Sequence, residues 1–479
     1  KSLVQSHQEG LKLTVLTFSL DELTSLAASP LVGTLPDDGG LSGAFRGSVC
    51  TDSRQIESGD VYLALKGERF DGHRFVKNAL DGGAALAVVE ASRVESLLKV
   101  CQGPLLPVPD TLKYYQGLAR LARRRQKPFV IGITGSSGKT TTKEMCFAVF
   151  SASAGKVVHK SAANENNEIG VPKTILSMPE NTDFLIVEMG MRGLGQIDEL
   201  ASTAEPNLGI ITGAGSTHIE LLGSRENIAK AKCELFAHID PSSGFAICGD
   251  FSPLLKEAAA GVFTGRVCDF DGEDLQVRRI TATGTSFSLG SEEFFVQAHG
   301  DFLLRDAWCA VKAGLCAGLT PETIRQGLSN WRAVEGRGNV ITTGAGLTLI
   351  DESYNANPDS VRCAVESVLA CEAYQGKRKI IVLGKMAELG DFTEALHREL
   401  GSWLKTKAID CLVTVGAEAG MIASEAGGAA FEVMPCADQE EAHRRLRETI
   451  SQGDCIMVKG SHSTNLEALV RRLEQVVGD

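Results

Sequence analysis

The sequence predicts an α/β protein built on mainly parallel sheets and divided into three domains. Apolar, strand-like runs alternate with helical stretches along almost the whole chain, the pattern of βαβ units. A glycine-rich turn in residues 131–142, Ile-Gly-Ile-Thr-Gly-Ser-Ser-Gly-Lys-Thr-Thr-Thr, joins one such strand directly to a helix. A length of 479 residues allows about three domains at ~150 residues each.

The first block, residues 1–109, holds strand-like Asp60-Val-Tyr-Leu-Ala-Leu65 and Ala84-Ala-Leu-Ala-Val-Val-Glu90 and closes in a stretch bearing Pro104, Pro107 and Pro109. Residues 1–14 begin polar and patternless, read as a leader or expression remnant, and take no part in fold reasoning. The second block, residues 110–336, opens with a helix over 112–125 feeding a strand at 129–133 and a helix at 141–150. Further strands fall at 184–187 and 208–212. The third block, residues 337–479, follows Gly336-Arg337-Gly338 and carries strands at 347–350, 379–383, 411–415 and 455–458, each followed by a turn and a helix. That repetition is Rossmann-like.

Composition narrows the partners. A formal net charge of −12 argues against nonspecific nucleic-acid or anionic-membrane binding, so anionic ligands must be held by local devices. The basic run from Arg123 to Lys127 reads as a solvated helix end. Thirteen cysteines stand singly, without a CxxC pair, which reads as free thiols in a reducing cytoplasm. No apolar run reaches the ~18 residues that span a bilayer.

The turn at 131–142 carries the clearest chemistry. Strand, glycine turn and helix in that order form a phosphate cradle. Gly135 and Gly138 let the backbone approach, Ser136 and Ser137 line the loop, and the helix N-terminus aims its N–H groups at the anion. Lys139 adds a point charge, the Thr140 hydroxyl is placed for Mg²⁺, and Thr141 continues the helix. The strict eight-residue motif would put its first glycine at Ile133, so the match is partial. The reading is ATP or GTP binding.

Other candidates are weaker taken singly. Phe184-Leu-Ile-Val-Glu188 ends an apolar strand in a carboxylate, suited either to a Mg²⁺ shell or to a surface strand end. Asn164, Asn166 and Asn167 crowd one loop, as turn builders or as ligands of a polar substrate. By composition alone, His218 reads as a structural histidine and Lys230 with Lys232 as a solvated helix face.

Together these strings resemble the Mur ligases of bacterial peptidoglycan synthesis, and most closely their F type. The resemblance rests on Thr51-Asp52-Ser53-Arg54 and Ala64-Leu-Lys66-Gly-Glu-Arg-Phe-Asp71-Gly-His73 in the first block. In the second it rests on Thr134 to Thr141, Asn164 to Pro172, Glu188-Met-Gly and Ala231-Lys232. The third block adds Asp351-Glu-Ser-Tyr354-Asn355-Ala-Asn357-Pro358-Asp-Ser360, Leu383-Gly-Lys-Met-Ala-Glu388-Leu-Gly390 and Val458-Lys459-Gly-Ser461. The Asp-Asn-Pro-Arg motif of the E type is missing. The chain departs from the family at Phe302-Leu303-Leu-Arg-Asp306-Ala307, where Asp306 replaces the second Asn of an adenine-contacting helix. It departs again at Lys459-Gly-Ser-His462, where the fourth residue is usually Arg.

The resemblance implies an ATP-dependent amide ligase that joins D-alanyl-D-alanine to UDP-N-acetylmuramoyl-tripeptide through an acyl phosphate. It implies an N-terminal α/β UDP-sugar-binding domain using Ser53, Arg54, Lys66, Asp71 and His73, with Asn164, Asn166 and Asn167 also on the substrate. It implies a central P-loop ATPase-like domain and a C-terminal Rossmann-like domain, Asp306 and Arg337 serving ATP and Tyr354, Asn355 and Asn357 facing the substrate. Lys139, Glu188, His218 and Lys232 become catalytic. Thr140, Glu188, His218 and a carbamylated Lys232 become the Mg²⁺ ligands. A monomer is expected. The rivals are an E-type or folylpolyglutamate-like ligase, a P-loop switch protein, and a UDP-sugar-binding module without catalysis.

Overall fold

A computed structural model describes residues 16–32, 46–67, 70–215, 219–250, 252–269, 275–281, 283–298 and 300–476. Packing divides the chain into two compact units. One comprises residues up to Gly132 with Gly155–Met189 and Glu199–Pro206; the other comprises Ile133–Ala154, Gly190–Asp198 and Asn207 onward.

The first unit contains a four-stranded parallel sheet in the order Val49–Cys50, Val61–Leu63, Leu86–Glu90, Leu105–Val108. Strands buried on both faces read as unbroken apolar runs, which is why Leu86–Glu90 was legible in the sequence. The proline-bearing stretch expected to close the first block contains the last strand of this sheet, Leu105–Val108. Pro107 is tolerated because a sheet-edge strand has one side without a ladder partner. On that side the Leu105 amide bonds the Val32 carbonyl at 2.8 Å or less, and Val32 reciprocates.

Helix Thr111–Gln126 begins where the Asp110 carboxylate caps the Leu112 and Lys113 amides and ends at Lys127 in the left-handed region (φ 53°). Its basic end is anchored, which corrects the expectation of a solvated one. Arg123 donates to the Ala204 and Glu205 carbonyls, Arg124 pairs with the Glu205 carboxylate, and Arg125 reaches Glu22 and the Thr17 carbonyl. The guanidinium fork makes such multiple bonding inexpensive in entropy. Val158–Lys160 and Phe184–Glu188 pair in parallel in the same unit.

The strand Phe129–Thr134 leads into the phosphate-loop turn. Its first residue donates to Asp183 O within the first unit, and its last accepts from Thr212 N within the second.

In the second unit, parallel strands Leu208–Ile211, Phe245–Cys248 and Arg266–Asp269 accompany helix Lys139–Ser151. An antiparallel sheet of Leu275–Thr281, Gly284–Leu289 and Glu292–Val296 was not anticipated. The C-terminal sheet runs Asn339–Thr342, Thr348–Glu352, Cys455–Lys459, Lys379–Leu383, Cys411–Val415, Glu432–Cys436; only its first pair is antiparallel. Successive residues of Lys379–Leu383 feed opposite cores. Ile381 and Leu383 pack with Val361, Val365 and Leu400, while Ile380 and Val382 pack with Leu446, Leu466 and Leu469. This doubly covered sheet is the Rossmann-like arrangement read from the sequence. Among the described residues, no helix is long and apolar enough to cross a membrane, and all thirteen cysteines are free thiols.

Candidate active site

The phosphate loop is shaped by two glycines that tolerate no side chain. Gly135 sits at φ 155°, and a Cβ there would collide with Thr212 Oγ1, with Thr212 Cβ 3.1 Å away. Gly138, at φ 83°, opens helix Lys139–Ser151; a Cβ there would strike Asp306 Oδ1 and come within 3.0 Å of its Oδ2. Only glycine meets both the dihedral and the steric demand. The loop is then tied down. Ser136 N donates to Gly213 O at 2.9 Å, the Thr212 hydroxyl donates to Ser137 O, and Thr142 N donates to Gly138 O at 2.8 Å. Sequence reasoning passed over Thr212; its signal was a hydroxyl at the end of a strand just before Gly213.

Lys139 folds back so that Nζ donates to Gly135 O at 2.8 Å, the loop's own carbonyl holding the ammonium at the loop. Thr140 lies half-buried at the first turn of the helix and Thr141 is buried behind it. Asp306 is buried beside the loop: its Oδ1 accepts from the Thr142 hydroxyl at 2.9 Å, and among the described residues its Oδ2 has no hydrogen-bond partner. Burial is the main cause that lifts its carboxyl well above the usual carboxylate range.

Lys232 is 1% exposed, on helix Arg225–Cys233, whereas Lys230 faces solvent. The expectation of a solvated lysine face therefore fails at Lys232, because its side chain points into the core. Burial first, and the Lys139 ammonium second, drive its pKa well below the ordinary lysine range. A neutral amine is the form that adds to CO₂ to give a carbamate, so the environment suits that chemistry. His218 lies outside the described residues. Among those described, no three His, Cys, Asp or Glu residues cluster as a metal site.

In the C-terminal part of the same unit, the Arg337 guanidinium lies 4.0 Å over the Tyr354 ring, and the His462 ring also neighbours it, with ring centres 5.9 Å apart. Buried Lys459 donates to Glu352 Oε2 at 3.1 Å and to Asn355 O at 3.0 Å, so this lysine fixes the Tyr354 segment. Asn355 Oδ1 accepts from Ala356 N at 2.9 Å. Asn357 caps helix Pro358–Ala370 and also donates to Ser137 Oγ at 2.9 Å.

In the first unit, Glu188 ends its strand 1% exposed, its Oε1 accepting from Asn166 Nδ2 at 2.9 Å and its amide donating to Ser161 Oγ at 3.1 Å. This excludes the surface strand-end alternative. The asparagines divide: Asn166 serves Glu188, while Asn167 Oδ1 accepts from Gly170 N at 2.9 Å and starts the next helix. Asn164 contributes its carbonyl to Asn166 N. His73 is held at both nitrogens, Nδ1–H donating to Asp71 at 2.7 Å and Nε2 accepting from Glu90 N at 2.9 Å. That fixes its tautomer and makes it a buried brace, leaving the exposed Lys66 and Arg54 and the half-exposed Ser53 as groups available to a ligand. Arg54 forks onto Asp52, and chiefly by that hydrogen bond holds its carboxyl down at about 2.

Comparison with known proteins agrees with this construction. Family models match in three successive segments: the Mur ligase family catalytic domain over 47–124, the Mur ligase middle domain over 133–313, and the Mur ligase glutamate ligase domain over 336–462. A UDP-N-acetylmuramoyl-tripeptide–D-alanyl-D-alanine ligase of Synechocystis is 38% identical over 89% of this chain and 91% of its own length. The chain belongs to the Mur ligase family. Among solved structures, the MurF crystal structure from Acinetobacter baumannii superposes with a TM-score of 0.83 at 29% identity, covering 96% of this Mur ligase and all of that chain. MurF ligase from Thermotoga maritima, solved in complex with ADP, gives 0.77 at 26% identity over 90% and 97% of the two chains.

Proposed function

We propose that this Mur ligase joins D-alanyl-D-alanine to UDP-N-acetylmuramoyl-tripeptide, using ATP, in peptidoglycan precursor synthesis. The observation that carries the reading is the phosphate loop with its two obligatory glycines and Lys139, on a chain similar over its length to ligases of that name. A carboxylate at neutral pH is no electrophile and must be activated. The terminal carboxylate of the tripeptide attacks the γ-phosphorus, ADP departs, and an acyl phosphate results. The amine of D-alanyl-D-alanine then attacks the acyl carbon, loses a proton and expels phosphate, leaving the amide.

The chain's own groups suit these steps. Loop amides and Lys139 would offset phosphoryl charge as it moves, and Gly135 to Thr141 would cradle the phosphates. Thr140 and Glu188 are assigned to one Mg²⁺, and His218 with a carbamate on Lys232 to a second; the hydroxyl, carboxylate and carbamate are the oxygen donors that such a hard cation takes, and the ions would supply further charge neutralisation. The carbamate arises when the neutral Lys232 amine adds to CO₂ and releases a proton. Asp306 and Arg337 are assigned to the nucleotide side. Ser53, Arg54 and Lys66, with Asp71 and His73 as their support, are assigned to the UDP-sugar. Asn164, Asn166 and Asn167 are assigned to the peptide end, as are Tyr354, Asn355 and Asn357. We divide the chain functionally at residues 1–109, 110–336 and 337–479, and take it to act as a cytoplasmic monomer.

The test is phosphate release from ATP with each substrate alone and with both. Steady turnover should require both UDP-N-acetylmuramoyl-tripeptide and D-alanyl-D-alanine. Equal phosphate release without either peptide would favour a nucleotide switch. Turnover with a free amino acid in place of the dipeptide would favour an E-type or folylpolyglutamate-like ligase.

A further inference from the structure

The Asn357 side chain is bonded at both ends. Its Oδ1 accepts from Ser360 N at 2.8 Å while Ser360 Oγ accepts from Asn357 N at 3.0 Å, a reciprocal cap on the thirteen-residue helix Pro358–Ala370. With Oδ1 committed to an amide donor, the amide's orientation is settled, and Nδ2 faces Ser137 Oγ at 2.9 Å. Ser137 is the phosphate-loop residue just before Gly138, and its carbonyl is fixed separately by the Thr212 hydroxyl. Asn357 is only 6% exposed, so this bond is shielded from competing water.

One further residue of the same helix start has neighbours nearby. Asp359, in its first turn, lies 3.4 Å from Arg225 Nη2. It also sits so near the 213–215 turn that a Cβ on Gly215 would be 2.6 Å from Asp359 Oδ2. All these residues belong to one compact unit. A serine hydroxyl has one hydrogen to give and two lone pairs to accept with. Asn357 occupies a lone pair, so the same hydroxyl can still donate to an anion in the loop. Donation to an anion polarises the oxygen and strengthens the bond it accepts.

We propose that Asn357 is a positioning residue that relays occupancy of the phosphate loop, through the Ser137 hydroxyl, to the cap of helix Pro358–Ala370. The nucleotide-bearing loop and the segment carrying Tyr354 and Asn355 are thereby coupled by one side chain. The inference rests on the reading that the loop holds a nucleotide.

Amide hydrogen exchange of the full chain, with and without saturating ADP and Mg²⁺, tests it, with nucleotide binding followed separately by calorimetry. In the wild type, ADP should slow exchange at 359–361 by about 3- to 10-fold, the worth of one net hydrogen bond. Ser137→Ala removes the relay at the loop. Asn357→Asp keeps an oxygen to cap Ser360 N but has no N–H for Ser137. Both variants should bind ADP at saturation and lose the slowing at 359–361, while slowing at 139–142 persists. Retention of the wild-type slowing at 359–361 in both variants overturns the relay alone. Failure of the wild type to bind ADP overturns the relay together with the nucleotide reading.

Discussion

Gly135→Ala is the most exacting check on how the phosphate loop is built. The new methyl would take the place of Thr212 Oγ1, which donates to Ser137 O and lies 3.4 Å from Thr134 O. Two costs add. Holding a non-glycine residue at φ 155° strains the backbone by ~1–3 kcal/mol. Turning the Thr212 hydroxyl aside leaves a part-buried carbonyl unpaired, a further ~1–3 kcal/mol at most. A total of ~2–6 kcal/mol is a large part of the 5–15 kcal/mol typical of a folded domain. It corresponds to a fall in Tm on the order of 10 °C. Adding Thr212→Ala removes the colliding oxygen, so the double variant should be less destabilised than the two single changes summed. Calorimetric melts of wild type, both singles and the double, with ADP affinity measured alongside, close the cycle. If Gly135→Ala melts within ~1 °C of wild type, or the effects simply add, the loop is not held by the Thr212 hydroxyl as described.

Asp306 and Lys232 give two further expectations. Because burial raises the Asp306 carboxyl in the folded state, its stabilising contribution is complete below the unfolded carboxylate range near 4 and is lost as pH rises through the raised folded value. Asp306→Asn, which cannot ionise, should therefore gain on the wild type above pH ~4 by about 1.4 kcal/mol per pH unit until the folded carboxyl also ionises. Parallel pH–stability curves from urea melts would show that Asp306 is not held neutral. For Lys232, both Ala and Arg variants should lose ligation on the order of 10²-fold or more, since neither provides a carbamate oxygen. Acetate should partly restore Lys232→Ala but not Lys139→Ala; good activity in Lys232→Arg, or no rescue, removes the carbamate.

The parts legible in the sequence were those written locally. The phosphate loop announces itself in one strand–turn–helix string, and Leu86–Glu90, Phe184–Glu188, Lys379–Leu383, Cys411–Val415 and Cys455–Lys459 are contiguous apolar runs because both their faces are covered. What escaped was set at long range or against local preference. Leu105–Val108 hides behind its prolines, and the antiparallel sheet beginning at Leu275 is partly exposed and lacks such runs. Composition cannot tell that Lys232 points inward while Lys230 points outward, nor that Arg123 and Arg124 find partners at residues 204–205. The Asn357–Ser137 bond joins positions 220 residues apart, and no spacing rule reaches that far. His73 was read through the resemblance as a substrate contact, whereas the Glu90 amide that occupies its Nε2 is a main-chain group, which no side-chain motif records.

Pro107 has a consequence for how the chain survives its own synthesis. A bare outer strand is a template on which another copy's unfolded segment can add, the first step of edge-to-edge aggregation. On Leu105–Val108 the outward amide of Leu105 is taken by Val32, and the next outward position is Pro107, which has no amide to offer. An incoming strand would find no consecutive pair of donors along that edge. The proline within the strand, which helped obscure it from sequence reasoning, therefore acts as a gatekeeper, and replacing Pro107 with valine would sharpen the strand signal while exposing the sheet to self-association.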